Sequence, residues 1–283
     1  MHTFKLDFPP DYSYRSTIHS HGWIQLAPFD WNRDSDELRY AYHMIDGTLC
    51  RMHIVPEDTQ LIVHIESDGT PDLVQVENDL RWMLRLDDDL SEFYELCRRE
   101  SRLQHVPGEK GGRLIRSVSI WEDVVKVITT TNTAWSGTRR MCQNLVEHWG
   151  NGAFPAAKAL AGVKIEMLKE KGGLGYRAPY IHELAQAVAD GTLDLEALKR
   201  NSLQTDELYK FLRSLKGVGD YAASSILMLL GTYSRVPVDS IAHSLVSKLF
   251  YNGEPVTPAQ IRACFADYGN FAGLAYWCWM IEE

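Results

Sequence analysis

Cysteine is scarce and scattered in this chain. Its 283 residues include only Cys50, Cys97, Cys142, Cys264 and Cys278, an odd number, no two closer than 14 positions. That spacing excludes a disulfide framework and a zinc knuckle, and it offers no thiol cluster to an iron–sulfur centre. Long apolar runs are also missing. The longest, such as Ile226-Leu227-Met228-Leu229-Leu230, fall far short of the ~20 residues a membrane span needs. The first ten residues, Met1 to Pro10, lack the basic-then-apolar texture of a signal peptide. Nor is there an internal repeat or a low-complexity tract. These absences point to a soluble chain with reduced thiols, in a bacterial-type cytoplasm or a nucleus.

An excess of positive charge is lacking too. The formal charge is −9, which on its own argues against a polyanionic partner. The deficit is uneven, however. Residues 1–75 carry 5 Lys/Arg against 12 Asp/Glu, whereas residues 76–283 carry 24 against 26 and leave room for a local basic face.

What is present reads as α+β: an N-terminal antiparallel β-sheet domain over residues 1–75, then a mainly α-helical body over 76–283. Thr17–Leu26, Leu38–Ile45, Thr48–Val55 and Thr59–Ile65 are short and rich in β-branched and aromatic residues. Turn clusters such as Asp46-Gly47 separate them, so a sheet of four or five strands follows. Five histidines here (His19, His21, His43, His53 and His64) suit period-2 placement on half-exposed strands better than a metal site. After a seam at Ser67–Asp72 the apolar period changes from 2 to 3.6. Helices fit Val76–Leu86, Leu90–Arg99, Ile120–Thr130, Thr138–Trp149, Ala178–Ala189, Leu193–Lys199, Thr205–Leu215, Asp220–Leu230, Ser240–Leu249, Pro258–Asp267 and Phe271–Ile281.

Two features carry chemistry. Leu215-Lys216-Gly217-Val218-Gly219 links two helices, and its glycines permit a tight bend and leave backbone N–H groups bare. Such a link is either a plain turn or a seat for one phosphate at the next helix N-terminus. Asp239, after Arg235-Val236-Pro237-Val238, stands just before an amphipathic helix. It reads as an N-cap, a role that also keeps its carboxylate ionised and available for chemistry.

Together, the hairpin about 205–230 and the loop 235–240 resemble the helix-hairpin-helix, Gly/Pro-rich loop and aspartate signature of a DNA glycosylase superfamily. Gly175-Tyr176-Arg177-Ala178-Pro179-Tyr180-Ile181 resembles a helix-opening segment of the same family. Trp121–Ile128, leading to Thr129-Thr130-Thr131-Asn132, occupies the place of its helix and wedge loop. The strand-rich N-terminus resembles the extra sheet of the 3-methyladenine glycosylase II and 8-oxoguanine glycosylase branches.

The resemblance implies a monofunctional DNA glycosylase of base-excision repair. Such an enzyme, a monomer on double-stranded DNA, flips a damaged, alkylated purine and hydrolyses its N-glycosidic bond. Asp239 would stabilise the oxocarbenium-like sugar. Lys216, Gly217, Val218 and Gly219 would grip the strand, Tyr221, Trp121 and Phe271 would wall the base pocket, and Asn132 would be the wedge. In relatives the hairpin holds a monovalent cation through backbone carbonyls, here those of Arg213, Leu215 and Val218. No other cofactor is implied, and the four-cysteine cluster of some relatives is missing. Lys216 replaces a common proline. Tyr221 stands where lyase branches carry a lysine, so lyase activity is not expected. The alternatives are a non-catalytic binder of DNA structures and a glycosylase for oxidised purines.

Overall fold

The computed structural model describes residues 2–200 and 203–281. Five strands form one antiparallel sheet: β1 (His2–Asp7), β2 (Asp30–Trp31), β3 (Leu38–His43), β4 (Leu49–Glu57) and β5 (Gln60–Ser67), in the order β1-β5-β4-β3-β2. The register pairs Leu6 with Leu61, Ile54 with Val63 and Leu38 with Ile54, which gathers the apolar side chains on one face. A mainly helical body follows. Its helices, with a short first one inside the strand region, are α1 (Tyr14–Ile18), α2 (Leu73–Leu84), α3 (Ser91–Cys97), α4 (Ile120–Thr130), α5 (Trp135–Trp149), α6 (Ala157–Ala161) and α7 (Ile165–Glu170). Six more complete the series: α8 (Ala178–Ala189), α9 (Thr205–Ser214), α10 (Asp220–Leu229), α11 (Ser240–Phe250), α12 (Pro258–Cys264) and α13 (Ala272–Ile281).

The α+β reading is therefore observed, with local corrections. Thr17–Leu26 is not a strand. Ser13 caps α1 by accepting the Ser16 N–H, and a 3₁₀ turn over Gly22–Gln25 follows. Burial of Ile18, Trp23 and Ile24 outweighs the β propensity of this stretch. The two remaining strands come instead from His2–Asp7, which pairs with β5, and Asp30–Trp31, which pairs with β3. Leu193–Lys199 is not an α-helix either; a 3₁₀ segment, Glu196–Arg200, takes its place. The short α6 and α7 have too few turns to show a period.

Residues 1–88 pack with 113–197 into one compact unit, and 89–112 with 198–283 into a second, so the chain does not divide near residue 75. The sheet is thus part of a larger unit with α2 and α4–α8. The reason lies in α4, where Glu122, Asp123 and Lys126 are all buried. The Tyr40 hydroxyl of β3 donates to Glu122 at 2.7 Å, Lys126 pairs with Glu122 at 2.6 Å, and the Trp23 indole donates to Asp123 at 2.7 Å.

The five histidines between Thr17 and Ile65 have protein partners. His53 meets Glu37, His64 meets Thr3, His19 meets Asp36, and His43 and His21 reach the carbonyls of Gly150 and Ile115. Among the described residues no group of three potential ligands could hold a metal.

Burial lowers the His21 pKa from 6.5 to about 4, the charges of Arg85 and Lys126 adding to the effect against its bond to Ile115. The unfolded chain therefore takes up this proton first. The stabilisation is complete above about pH 6.5 and fades as pH falls through 4. Between pH 7 and pH 5, chemical denaturation should show the wild type losing roughly 1–2 kcal/mol more than His21→Gln.

Candidate active site

The hairpin and the aspartate loop lie in the unit formed by residues 89–112 and 198–283. Helix α9 ends at Ser214. Leu215 turns extended, and the Val218 N–H returns to the Leu215 carbonyl at 3.1 Å. This closes a four-residue turn whose third position, Gly217, has φ +82°, the left-handed region that favours glycine. Val218 is buried and anchors the turn, while Lys216 and Gly219 are exposed. Gly219, the N-cap of α10, has φ −80°, and a Cβ there would meet only the Arg213 guanidinium at 3.7 Å. The fold thus tolerates a side chain at 219, and its absence leaves the first-turn N–H groups of α10 approachable.

Apolar packing holds α10: Ala222, Ala223, Ile226 and Leu227 are buried. Its first residue, Asp220, accepts a hydrogen bond from Tyr209 at 2.6 Å and pairs with Arg262, which ties the hairpin to α9 and α12. The carbonyls of Arg213, Leu215 and Val218 flank this bend, and that of Leu215 already accepts the Val218 N–H.

Asp239 is half-buried and caps α11, accepting the Ala242 N–H on Oδ1 at 2.8 Å. The loop before it is pressed onto α13. The Gly273 N–H donates to the Tyr233 carbonyl at 2.6 Å, and a Cβ at 273 would lie 2.4 Å from the Arg235 carbonyl oxygen. One turn further along α13 lies the buried Tyr276. Burial pushes the Tyr276 phenol well up, and the charges of Asp239 and Tyr221 push the same way. Asp239 and Tyr221, singled out from the sequence, thus both act electrostatically on a third residue that was not. Tyr276 sits in the apolar run Leu274–Trp279 and reads as core, although a buried phenol demands a partner.

The other expected residues are placed as follows. Half-buried Phe271 lies 5.4 Å from Phe93 and 6.4 Å from Tyr233, ring to ring. Besides these, His243 of α11 reaches the Val256 carbonyl at 2.9 Å. In the unit with the sheet, Trp121 is buried and its indole donates to the Pro155 carbonyl at 2.9 Å. Asn132 is exposed at φ +47°, in the loop after α4, and its amide donates to the Tyr176 hydroxyl at 3.1 Å. Thr131 donates to the Ile128 carbonyl, and its hydroxyl oxygen lies 3.4 Å from that of Tyr176. Arg177 donates to the Thr131 carbonyl. The Gly-Tyr-Arg segment therefore braces the Asn132 loop, a link between two motifs that spacing alone does not reveal. The bond to Thr131, helped by Asn132 and Arg177, lowers the Tyr176 pKa.

Comparison with known proteins gives this geometry a family. The HhH-GPD superfamily base excision DNA repair protein family matches residues 125–270, just over half of the chain. A yeast protein (Saccharomyces cerevisiae) named N-glycosylase/DNA lyase is 26% identical over 197 residues, 55% of this chain and 52% of its own length. The matched stretch thus spans about half of that relative. Among solved structures, a 3-methyladenine DNA glycosylase from Archaeoglobus fulgidus superposes with a TM-score of 0.79 at 23% identity, over 98% of this chain and 97% of its own. A Clostridium acetobutylicum 8-oxoguanine glycosylase/lyase, in complex with duplex DNA containing cytosine opposite 8-oxoguanine, gives 0.75 at 19% identity, over 96% and 91%.

The two hairpin glycines should respond differently to alanine. Gly217→Ala is expected to cost about 1–2 kcal/mol in urea unfolding, because φ stays positive. Gly219→Ala should leave the midpoint nearly unchanged.

Proposed function

This chain belongs to the HhH-GPD superfamily of base excision DNA repair proteins, and we propose that it acts there as a monofunctional DNA glycosylase, removing an alkylated purine from duplex DNA. One observation carries the reading: a half-buried carboxylate, Asp239, caps α11 through the Ala242 N–H, and a tyrosine, Tyr221, stands two positions past the second hairpin glycine. A phenol at that position cannot form the Schiff base that lyase chemistry requires.

Breaking the N-glycosidic bond sends the bonding pair out with the base and leaves positive charge on the sugar. A carboxylate about 4 Å from that charge, at an effective dielectric near 20, contributes roughly 4 kcal/mol, or about a thousandfold in rate. In our reading Asp239 is that carboxylate. Water then adds to the anomeric carbon and gives up a proton, which Asp239 can take. An alkylated purine is already cationic, so it departs as a neutral base without a dedicated acid.

The base must leave the stack to reach such a site, at a cost of a few kcal/mol. We assign Tyr221 to the pocket wall, Asn132 to the gap left behind, and Lys216 with the hairpin amides to one backbone phosphate. Phe271 extends an aromatic cluster beside the Asp239 loop, and Trp121 supports α4 from within. The carbonyls of Arg213, Leu215 and Val218 are hard oxygen donors and suit a monovalent cation, which would add positive charge at the phosphate seat.

A second reading, release of oxidised purines, is favoured by the likeness to the 8-oxoguanine enzyme. Both are tested with duplexes carrying N-methylated purines or 8-oxoguanine, the freed base measured by chromatography and the strand on a gel. Release of methylated purine is expected, with the strand intact until alkali is added, and Asp239→Asn about a thousandfold slower. Release of 8-oxoguanine alone would select the second reading, and cleavage without alkali would end the monofunctional one. Should Gly219→Asp abolish DNA binding while no lesion is ever released, the chain is a binder and not an enzyme.

A further inference from the structure

Helix α10 and the hairpin make opposite demands on Asp220. Gly219, the N-cap of α10, has no side chain to accept from the first-turn N–H groups, so the helix opens without a side-chain cap. An aspartate in the first turn compensates in part, because its negative charge meets the positive end of the helix dipole. The same charge stands one residue past the glycine that leaves those N–H groups approachable, where a phosphate is drawn. Like charges repel, so a bare carboxylate at this position weakens the very seat it helps to build.

Two donors from other helices meet this one carboxylate. The Tyr209 hydroxyl of α9 donates to Oδ1 at 2.6 Å, and the Arg262 guanidinium of α12 pairs with Oδ2. Tyr209 is itself held, its ring centre 3.9 Å from the guanidinium of Arg235, which pairs in turn with Asp206 at 2.8 Å. The side chains of Arg262 and Asp220 are 37% and 41% exposed, so the pair adds little to stability. What it changes is the local charge. With Asp220 cancelled, the charged residues left at the bend are Arg213, whose guanidinium lies beside Gly219, and Lys216.

We propose that Arg262 is a positioning residue for DNA binding: it holds and neutralises the Asp220 carboxylate, so that the N–H groups at the start of α10 can receive a backbone phosphate. The proposal rests on the reading of the hairpin as the phosphate seat, and it adds a residue that lies 42 positions from Asp220 in the chain. Arg262 acts through Asp220 and not through a phosphate contact of its own. It takes no part in breaking the glycosidic bond.

The test is affinity for a duplex carrying an uncleavable abasic analogue, read by fluorescence anisotropy at about 50 mM salt, where electrostatic effects on binding are large. Arg262→Gln should bind roughly three- to tenfold more weakly than the wild type, the effect of one uncancelled charge in a half-exposed setting. Arg262→Lys keeps the charge and should stay within about twofold of the wild type, a second variant that answers the question should the glutamine not fold. Asp220→Asn should also bind within about twofold of the wild type, because the charge it removes is already cancelled. The deciding variant carries both Asp220→Asn and Arg262→Gln. Once the carboxylate is gone its partner is no longer needed, so affinity should return to within about twofold of the wild type. An equal loss from Arg262→Gln in both backgrounds would mean that Arg262 meets the DNA itself or merely braces α10 against α12, and would overturn the proposal. A wild type that binds no duplex overturns the hairpin reading and the proposal together, whereas a wild type that binds while Arg262→Gln binds equally well overturns the proposal alone.

Discussion

Two carboxylates and an ammonium, buried within a single stretch of α4, constrain much of this molecule. Removing a charge from water costs several kcal/mol unless an opposite charge and further hydrogen bonds receive it. Glu122 meets Lys126 and the Tyr40 hydroxyl; Asp123 takes the Trp23 indole and the Ser117 N–H. Burial drives both carboxyls upward in pKa, opposed first by the charge of Lys126 at Glu122 and by the bond from Trp23 at Asp123. Separating the sheet from α4 would strand these groups. The sheet therefore serves as the receiving surface for a charged helix, and that helix runs directly into the loop bearing Asn132.

The sequence is most legible where local chemistry is loud. Ile120–Thr130 and Ala178–Ala189 match α4 and α8 end to end, the first opened by the Ser119 cap and the second by Pro179 in its first turn. The hairpin shows itself because Gly217 must take a positive φ, and Asp239 because an N-cap aspartate before an amphipathic helix has a distinct pattern. Thr17–Leu26 misleads because burial, not propensity, decides a segment with two short helical turns. Tyr276 stays hidden for another reason. The carboxylate whose charge acts on it lies 37 positions earlier, and nothing local separates such a tyrosine from one that only fills a core. Tyr176 is visible as part of a motif, but its bond to Asn132 joins elements 44 positions apart.

The same economy of contacts governs the site. Asp239 is held by its own helix, the loop before it by the bare backbone of Gly273, and the hairpin by buried Val218 and the Asp220–Arg262 pair. Rigid apolar helices supply the frame, and few polar groups are spent on it. The exposed parts, Lys216, Gly219 and Asn132, carry no structural duty as demanding.

Residues 89–112 belong to the unit otherwise built from 198–283, and this has a bearing on biosynthesis. Phe93, buried and ring-to-ring with Phe271, leaves the ribosome 178 residues ahead of its neighbour. At roughly 5–20 residues per second, that is on the order of ten to thirty seconds in which α3 lacks the later half of its unit. The nascent chain meanwhile can complete the sheet and the helices of 113–197. Maturation of this second unit is thus postponed until residues 198–283 have been made, and the waiting segment is where a chaperone would find the half-made protein.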